Sequence, residues 1–157
     1  MKMNSTIKII ALLAVCFSLC NSVNAQCKAK PVIKEHKPKV KPYDFNSYAD
    51  NMLTFGKEPK QIETPFTAYS GDSYKLIFAS EAVPQEVVVG IYDRNKKAKS
   101  RKELYKQTLK VGDKVLEPFE IKKPGNYYIQ FDVPANADSG TVKKMCLYTL
   151  IGYKENE

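Results

Sequence analysis

One stretch, residues 126–133, constrains the fold of this chain more than any other. Its sequence, NYYIQFDV, places Tyr127, Ile129, Phe131 and Val133 on one side of an extended backbone, while Tyr128 and polar residues fall on the other. A two-residue period in such residues is typical of a β-strand with one buried face. Proline residues bracket the stretch, so a turn precedes the strand and the strand ends after it.

The rest of the chain from residue 61 onward consists of further short strands between turns. The same alternation predicts strands at 62–66, 74–78, 86–93, 104–111, 115–121 and 144–153. Pro65 suits an edge strand, because proline cannot donate to a ladder. The pattern predicts an all-β fold, an antiparallel β-sandwich of about seven to eight strands, immunoglobulin-like or jelly-roll-like. We expect residues 126–133 to pair with 115–121 and to lie beside 144–153.

The last predicted strand is apolar on both sides, which indicates a central strand covered by another element. A short N-terminal helix could provide that cover. Asn46 can cap a helix over residues 47–54, Gly56 can end it, and Tyr48, Met52 and Phe55 would share one helical face. We therefore expect a helix at 47–54 or a loop above the last strand.

The N-terminus has the pattern of an export signal. Lys2 and Lys8 precede an apolar run too short to span a bilayer comfortably, and Val23 and Ala25 suit signal peptidase. We expect a signal peptide over residues 1–25 and a periplasmic or extracellular mature chain without a transmembrane segment. Gln26 before Cys27, and similarly large residues before the two earlier cysteines, disfavour lipid anchoring.

The net charge of +8 belongs largely to the first 42 residues of the chain. Residues 26–42 carry six lysines and three prolines against one glutamate, a composition that predicts an extended, mobile basic tail. A single β-sandwich domain would then span residues 43–157. Because that domain is almost neutral, the basic composition does not indicate nucleic-acid binding.

Two cysteines, Cys27 and Cys146, remain after the predicted cleavage. Export would permit a disulfide between them, and it would close a very long loop. Against that pairing, Cys27 falls in the predicted mobile tail, and a buried free thiol is a common state for a residue such as Cys146. Both states stay open at this point.

The sequence contains little that indicates catalysis. Its single histidine, His36, falls in the predicted tail, so a histidine-dependent nucleophile has no support. No phosphate-binding glycine motif is present, and we predict no cofactor. Asp132, Asn136 and Asp138 form the best cluster of calcium-ligand types, but turn chemistry accounts for all three, so we predict no metal site. Paired carboxylates remain possible, since pairing is a distance in space.

Two features stand out as candidate binding residues. The first is a basic loop containing Arg94, Lys96, Lys97, Lys99, Arg101 and Lys102. It could bind an anionic sugar, lipid or protein, or it could simply be solvated and keep strand edges soluble. The second is the set of tyrosines Tyr92, Tyr105 and Tyr128. Exposed tyrosines could stack on sugar rings, or they could pack at strand edges. No aromatic residue interleaves the basic run, which disfavours nucleic acid.

Four segments have a familiar order along the chain: FTAYSGDSYKL at 66–76, VVGIYD at 88–93, YYIQFDVP at 127–134 and CLYTLIGYK at 146–154. Together they resemble a family of small secreted β-sandwich proteins from Bacteroidota-type bacteria, broadly similar to pre-peptidase C-terminal accessory domains. The resemblance covers residues 61–154 and implies fold and export only. Family members often carry a cysteine near positions occupied here by Ala79 and Ser80, which leaves Cys146 either bridged to Cys27 or free.

We therefore expect an exported, non-catalytic β-sandwich with a binding or scaffolding role at the bacterial cell envelope. Its partner would be an unknown protein, a polysaccharide or an anionic envelope component. A carboxylate-based hydrolase and a structural subunit of an envelope complex are the alternatives.

Overall fold

The computed structural model describes residues 27–136 and 142–156. The predicted signal peptide, its cleavage site and Asp138 lie outside those residues. Within them the chain forms a helix and eight strands: α1 (Ala29–His36), β1 (Asp44–Phe55), β2 (Lys60–Ala68), β3 (Asp72–Ser80), β4 (Val87–Tyr92), β5 (Glu103–Leu109), β6 (Phe119–Ile121), β7 (Gly125–Val133) and β8 (Lys143–Glu155). A 3-10 turn, Lys37–Val40, follows α1.

The strands form two antiparallel sheets of four strands each, which confirms the predicted β-sandwich. The first sheet has the order β1-β8-β3-β6 and the second has the order β2-β7-β4-β5. The apolar core between the sheets includes Leu76, Phe78, Val89, Phe131 and Leu147, which are fully buried. The predicted inward faces of β3, β4 and β7 therefore all meet in this core.

The predicted helix over residues 47–54 is wrong, because these residues belong to β1. Leu53 and Phe55 are fully buried there, and Ala49 and Asn51 line the gap between the sheets. The strand pairs with β8 along its length, with Met52 opposite Cys146. The helical spacing of Tyr48, Met52 and Phe55 was coincidental, since long-range pairing with β8 determines the local conformation.

The predicted pairing of the opening strand is also wrong. β7 lies between β2 and β4, not beside residues 115–121 or 144–153. Only Phe119–Ile121 of the predicted 115–121 strand is extended, and it pairs with β3 in the other sheet. A short connection ending in Pro124-Gly125 thus crosses from one sheet to the other. β2 is an edge strand, as Pro65 predicted.

Residues 27–43, here called the strap, contradict the prediction of an extended mobile tail. They contain α1 and the 3-10 turn and pack on the outer face of the first sheet. A disulfide joins Cys27 to Cys146 on β8. Three apolar strap residues are buried against the sheet, Val32, Val40 and Tyr43, so this segment is held by apolar contacts that its lysine-rich composition did not indicate.

The strap explains why β8 is apolar on both sides. Leu147 faces the core between the sheets, whereas Tyr148 and Leu150 belong to the second apolar cluster beneath the strap. The expectation of a central, covered strand is confirmed, but the covering element is the strap. Gly152 of β8 permits the close approach, because an added Cβ would collide with Val40 and lie 2.9 Å from Cβ of Tyr43.

Candidate functional site

The outer face of the second sheet carries the predicted binding residues. Tyr128, Gln130 and Asp132 of β7 point to this face, and the register places Gln130 between Glu63 of β2 and Gly90 of β4. Gln130 is only 2% exposed although it faces away from the core. It is buried because residues 93–102, the basic loop between β4 and β5, fold back across the sheet.

Arg101 fixes the basic loop to the sheet. Its Nη2 donates a 2.8 Å hydrogen bond to Oε1 of Gln130, and its Nη1 lies 3.3 Å from Oε2 of Glu63. Its guanidinium also lies 3.7 Å from the centroid of the Tyr92 ring. A planar guanidinium can satisfy a carboxylate, an amide and an aromatic face together, which a lysine ammonium cannot do as well.

A second attachment lies at the other end of the loop. The backbone N–H of Lys96 donates a 2.9 Å hydrogen bond to Oε2 of Glu63, and its Nζ donates a 3.4 Å bond to the carbonyl oxygen of Gln61. Glu63 therefore accepts from two positions in the loop. The amide of Gln130 completes the network by donating from Nε2 to Oδ1 of Asp132 at 2.7 Å.

The ring of Tyr92 is part of this support and is not an exposed stacking surface. It is 8% exposed and lies against Gly90, where an added Cβ would stand 2.8 Å from Cε2 of the ring. Burial raises the pKa of Tyr92, and the neighbouring carboxylate of Glu103 raises it further. The ring thus supports Arg101 and leaves little surface for a ligand.

The remaining two tyrosines differ from each other. Tyr105 points between the sheets, where its ring packs on Phe78 and Phe119 and its hydroxyl donates a 2.7 Å hydrogen bond to the carbonyl oxygen of Glu117. Burial raises the pKa of Tyr105 far above its ordinary range. Tyr128 does lie on the outer face and is half-buried. A broad tyrosine platform is therefore not present on this face.

Four of the six predicted basic residues project from the loop into solvent: Arg94, Lys97, Lys99 and Lys102. Within residues 27–136 and 142–156, none of the four has an ion-pair partner. Arg101 and Lys96 instead order the loop that presents them. The six residues singled out by sequence therefore divide into two that support the loop and four that form a basic surface.

A groove lies beside this basic surface. It has a volume of about 590 Å³ and is lined by Pro59, Lys60, Gln61, Glu86, Val88, Asp132, Val133 and Pro134. Gln61 connects the two features, because its carbonyl oxygen accepts the hydrogen bond from Lys96. Sequence analysis missed this groove, since its walls come from three separated segments. The sequence indicated Asp132 as a calcium-type residue and as part of the outer face of the 126–133 strand, but not as part of a groove.

The groove combines apolar surface with polar side chains. Val88 and the prolines provide apolar contact, and Gln61, Glu86 and Asp132 provide hydrogen-bonding groups. That mixture is typical of sites for small polar ligands. Among the residues that the structure describes, no group of three or more histidine, cysteine, aspartate or glutamate side chains could hold a metal ion. No helix in the same residues is long and apolar enough to cross a membrane.

Comparisons with known proteins return only distant similarities of fold. No protein-family model matches the sequence, and no curated protein is similar to it. A structure described as "CBM4 structure and function" aligns with a TM-score of 0.39 at 13% identity, covering 76% of this chain and 83% of the other. The Yersinia pseudotuberculosis-derived mitogen gives a TM-score of 0.37 at 12% identity, covering 71% and 89%. A structure of infectious bursal disease virus strain Gx gives 0.26 at 11%, covering 71% and 33%. Similarities at this level transfer no ligand or activity to this chain.

Proposed function

We propose that this protein is an exported, non-catalytic β-sandwich that binds an acidic polysaccharide of the bacterial cell envelope. The main observation in support is the basic surface formed by Arg94, Lys97, Lys99 and Lys102. The loop that presents it is held to the sheet by the hydrogen bonds of Arg101 and Lys96. Unpaired cations clustered on one surface attract polyanions and raise their association rate. Binding to an extended envelope polymer would give the protein a scaffolding role.

The fixed loop supports this proposal over the interpretation of a merely solvated loop. A flexible loop must lose conformational entropy when it binds, whereas a loop already ordered by Arg101 and Lys96 loses less. A loop that only kept neighbouring edges soluble would not need a buried amide such as Gln130 beneath it. The network therefore favours a surface that is held in shape for a ligand.

The groove favours a saccharide among possible anionic ligands. Sugar rings present hydroxyl groups at their edges and C–H groups on their faces. Gln61, Glu86 and Asp132 can bond the hydroxyls, while Val88 contacts the apolar side. Lys60 at the groove and the nearby basic loop would then receive the carboxylate or sulfate groups of an acidic polymer.

The decisive experiment compares two variants with the same change in net charge. The loop variant replaces Arg94, Lys97, Lys99 and Lys102 with glutamine, and the control replaces Lys28, Lys30, Lys34 and Lys37 of the strap with glutamine. Because the long-range charge change is equal, only the location differs. We expect the loop variant to lose at least about tenfold in affinity for an acidic polysaccharide such as a polyuronate, with weakened salt dependence. Equal losses in both variants would contradict the site.

The export component of the proposal has a separate test. The signal-like sequence at residues 1–25 supports removal before Gln26. Mass spectrometry of the protein recovered from a secreting bacterial host should find a chain that begins at Gln26. An intact N-terminus on the recovered protein would contradict the proposed processing.

A carboxylate-based hydrolase is the alternative function, and one observation favours it. Glu86 and Asp132 line the same groove, as a pair of glycoside-cleaving carboxylates would. Such an enzyme should release reducing ends from the polysaccharide that it binds, and Asp132→Asn should abolish that release. Binding without any release of reducing ends would favour the non-catalytic function.

A further inference from the structure

Three of the four strands at the sheet edges are protected against pairing with another chain. β6 has only three residues. β2 contains Pro65, and the basic loop covers it through the contacts of Lys96 with Glu63 and Gln61. β5 carries Lys106 and lies beside Glu117, whose backbone N–H donates to Oε1 of Gln107. Short strands, proline, lysine and covering loops are the usual devices that prevent edge-to-edge association.

The fourth edge strand, β1, has little comparable protection from residues 27–136 and 142–156. It is 12 residues long and contains no proline, lysine or arginine. Tyr48 and Met52 project from its outer face and are 44% and 54% exposed, among the most exposed large apolar residues of the described chain. A long edge strand with exposed apolar side chains is a ready template for another strand. Its one irregularity is a bulge between Phe45 and Ser47.

The gap between the sheets also differs between its two sides. On the β5–β6 side, the connection between β5 and β6 joins the sheets, because Leu116 donates to the carbonyl oxygen of Phe78 on β3 and Glu117 bonds to Tyr105 and Gln107 on β5. On the β1–β2 side there is a slot of about 120 Å³, lined by residues that include Ala49, Asn51 and Phe66. The unprotected strand therefore lies on the side of the sandwich that contains this slot.

We propose that β1 pairs in antiparallel fashion with β1 of a second copy of this chain, which joins the two first sheets into one eight-stranded sheet. An isologous contact of this kind uses the same strand twice and closes after two copies. This interface is separate from the polysaccharide surface, which lies on the other sheet.

Charge selects the register of this pairing. Asp50 projects from the same face as Tyr48 and Met52, and a register centred on Asp50 would place the two carboxylates opposite each other. A register centred on Asn51 instead places Asp50 opposite Met52 and Tyr48 opposite Thr54. It uses only residues 47–55, beyond the bulge, so the paired part of the strand is regular. Like charges directly opposite destabilise a sheet, so the register centred on Asn51 is favoured.

Met52 permits a charge-reversal test that leaves the core unchanged, because its side chain is exposed. In the proposed register, position 52 of each copy lies opposite Asp50 of the other copy. Met52→Asp therefore creates two pairs of like charge in the dimer, whereas Met52→Lys creates two pairs of opposite charge. Both variants remove the same apolar side chain. We expect the dimer of Met52→Asp to be about tenfold weaker than that of Met52→Lys, because two like-charge pairs take the place of two opposite-charge pairs. Val111→Asp, at another exposed apolar residue, is the control and should leave the dimer unchanged.

Sedimentation equilibrium of the oxidised chain over a wide concentration range measures these dissociation constants. Circular dichroism of each variant checks that the sandwich is folded. A monomeric wild-type chain at every concentration would overturn the proposal. Equal dissociation constants for Met52→Asp and Met52→Lys would also overturn it, because Met52 would then not face Asp50 of the second copy.

Discussion

His36, on the strap, is the single histidine of the chain and is 3% exposed. Neither of its ring nitrogens has a hydrogen-bond partner in the described part of the chain. Burial lowers the pKa of His36 below its ordinary value of 6.5, and Lys39 and Lys114 lower it too, against the opposing effect of Glu35. The folded state therefore disfavours the protonated form of His36 relative to the unfolded chain.

This arrangement makes stability depend on pH. Well above pH 6.5 His36 is largely neutral in both states and contributes little pH dependence, whereas the unfolded chain takes up the additional proton as the pH falls through 6.5. Stability should therefore fall as the pH decreases from 6.5 toward the lowered pKa of the folded state. Urea unfolding at several pH values between 7 and 5 measures this loss, and His36→Leu should remove most of it. An unchanged slope in His36→Leu would show that other groups cause the dependence.

Gly152 offers a second test at the scale of one residue. A Cβ there would overlap with Val40 and crowd Tyr43, so Gly152→Ala should displace the C-terminal part of the strap. Overpacking of this kind typically costs about 1–3 kcal/mol, which denaturant unfolding would detect. Gly56→Ala is the matched control, because no atom lies within 4 Å of its added Cβ. If the two variants are equally stable, the strap does not pack on Gly152 in solution.

The basic loop is the element on which the proposed function depends, and Glu63 is the residue that holds both of its ends. Glu63→Gln keeps the size of the side chain but removes the negative charge opposite Arg101 and weakens acceptance from Lys96. We expect amide hydrogen exchange in residues 93–102 to become about tenfold faster, since hydrogen bonds to charged groups contribute roughly 1.5–3 kcal/mol. Hydrogen-exchange mass spectrometry provides the measurement.

Glu120→Gln provides the control for this loop. Glu120 also pairs with a basic residue, Lys122, but that pair is solvent-exposed and lies at β6 of the other sheet. Exposed pairs contribute little, so exchange in the loop should hardly change. A similar acceleration in both variants would mean that loss of negative charge, rather than loss of the Glu63 contacts, loosens the loop.

The individual strands show which parts of the fold the local sequence can predict. Alternation predicted β3, β4 and β7, because in each strand the alternate positions that face between the sheets are apolar and mostly buried. It failed for β1, where the inward positions Ala49 and Asn51 are small or polar and a helical spacing was equally visible. It also failed for the pairing of β7, since strand partners are decided by contacts between distant segments.

The candidate site was predicted in part for the same reason. The loop was identified from its run of basic residues, which is a local signal. The sequence did not show which basic residues support the loop and which form the basic surface. The partners of Arg101 are Glu63 and Gln130, which are 38 and 29 positions away. The groove had no local signal at all, since Gln61, Glu86 and Asp132 converge only in the folded sheet.

At the scale of the whole molecule, the first sheet separates two apolar clusters. One fills the space between the sheets, and the other lies between the first sheet and the strap. The first cluster is complete without the strap, whereas the second exists only while the strap is in place. The sandwich and the strap should therefore differ in stability, as is common where a segment packs on a core that is complete without it.

The disulfide between Cys27 and Cys146 couples the strap to the sandwich. The two cysteines are separated by 119 positions, and a disulfide closing a loop of that size contributes about 4–5 kcal/mol in the chain-entropy model. A Cys27→Ser/Cys146→Ser variant should lose a large part of that stability in urea unfolding. The two sheets of this variant should still unfold cooperatively, because the apolar cluster between them contains neither of the replaced cysteines.

The residues that lose amide protection show whether removing the disulfide loosens the strap alone or destabilises the whole fold. In the double serine variant, strap amides should exchange at low protection while β3, β4 and β7 stay protected. The variant should also bind a hydrophobic dye, since opening the strap bares Ile77, Tyr148 and Leu150. Wild-type protein treated with a dithiol reductant should behave in the same way, because it lacks the same bond. If strap and sandwich instead lose protection together, the strap is an integral part of one cooperative fold, and the second cluster stabilises the sandwich itself.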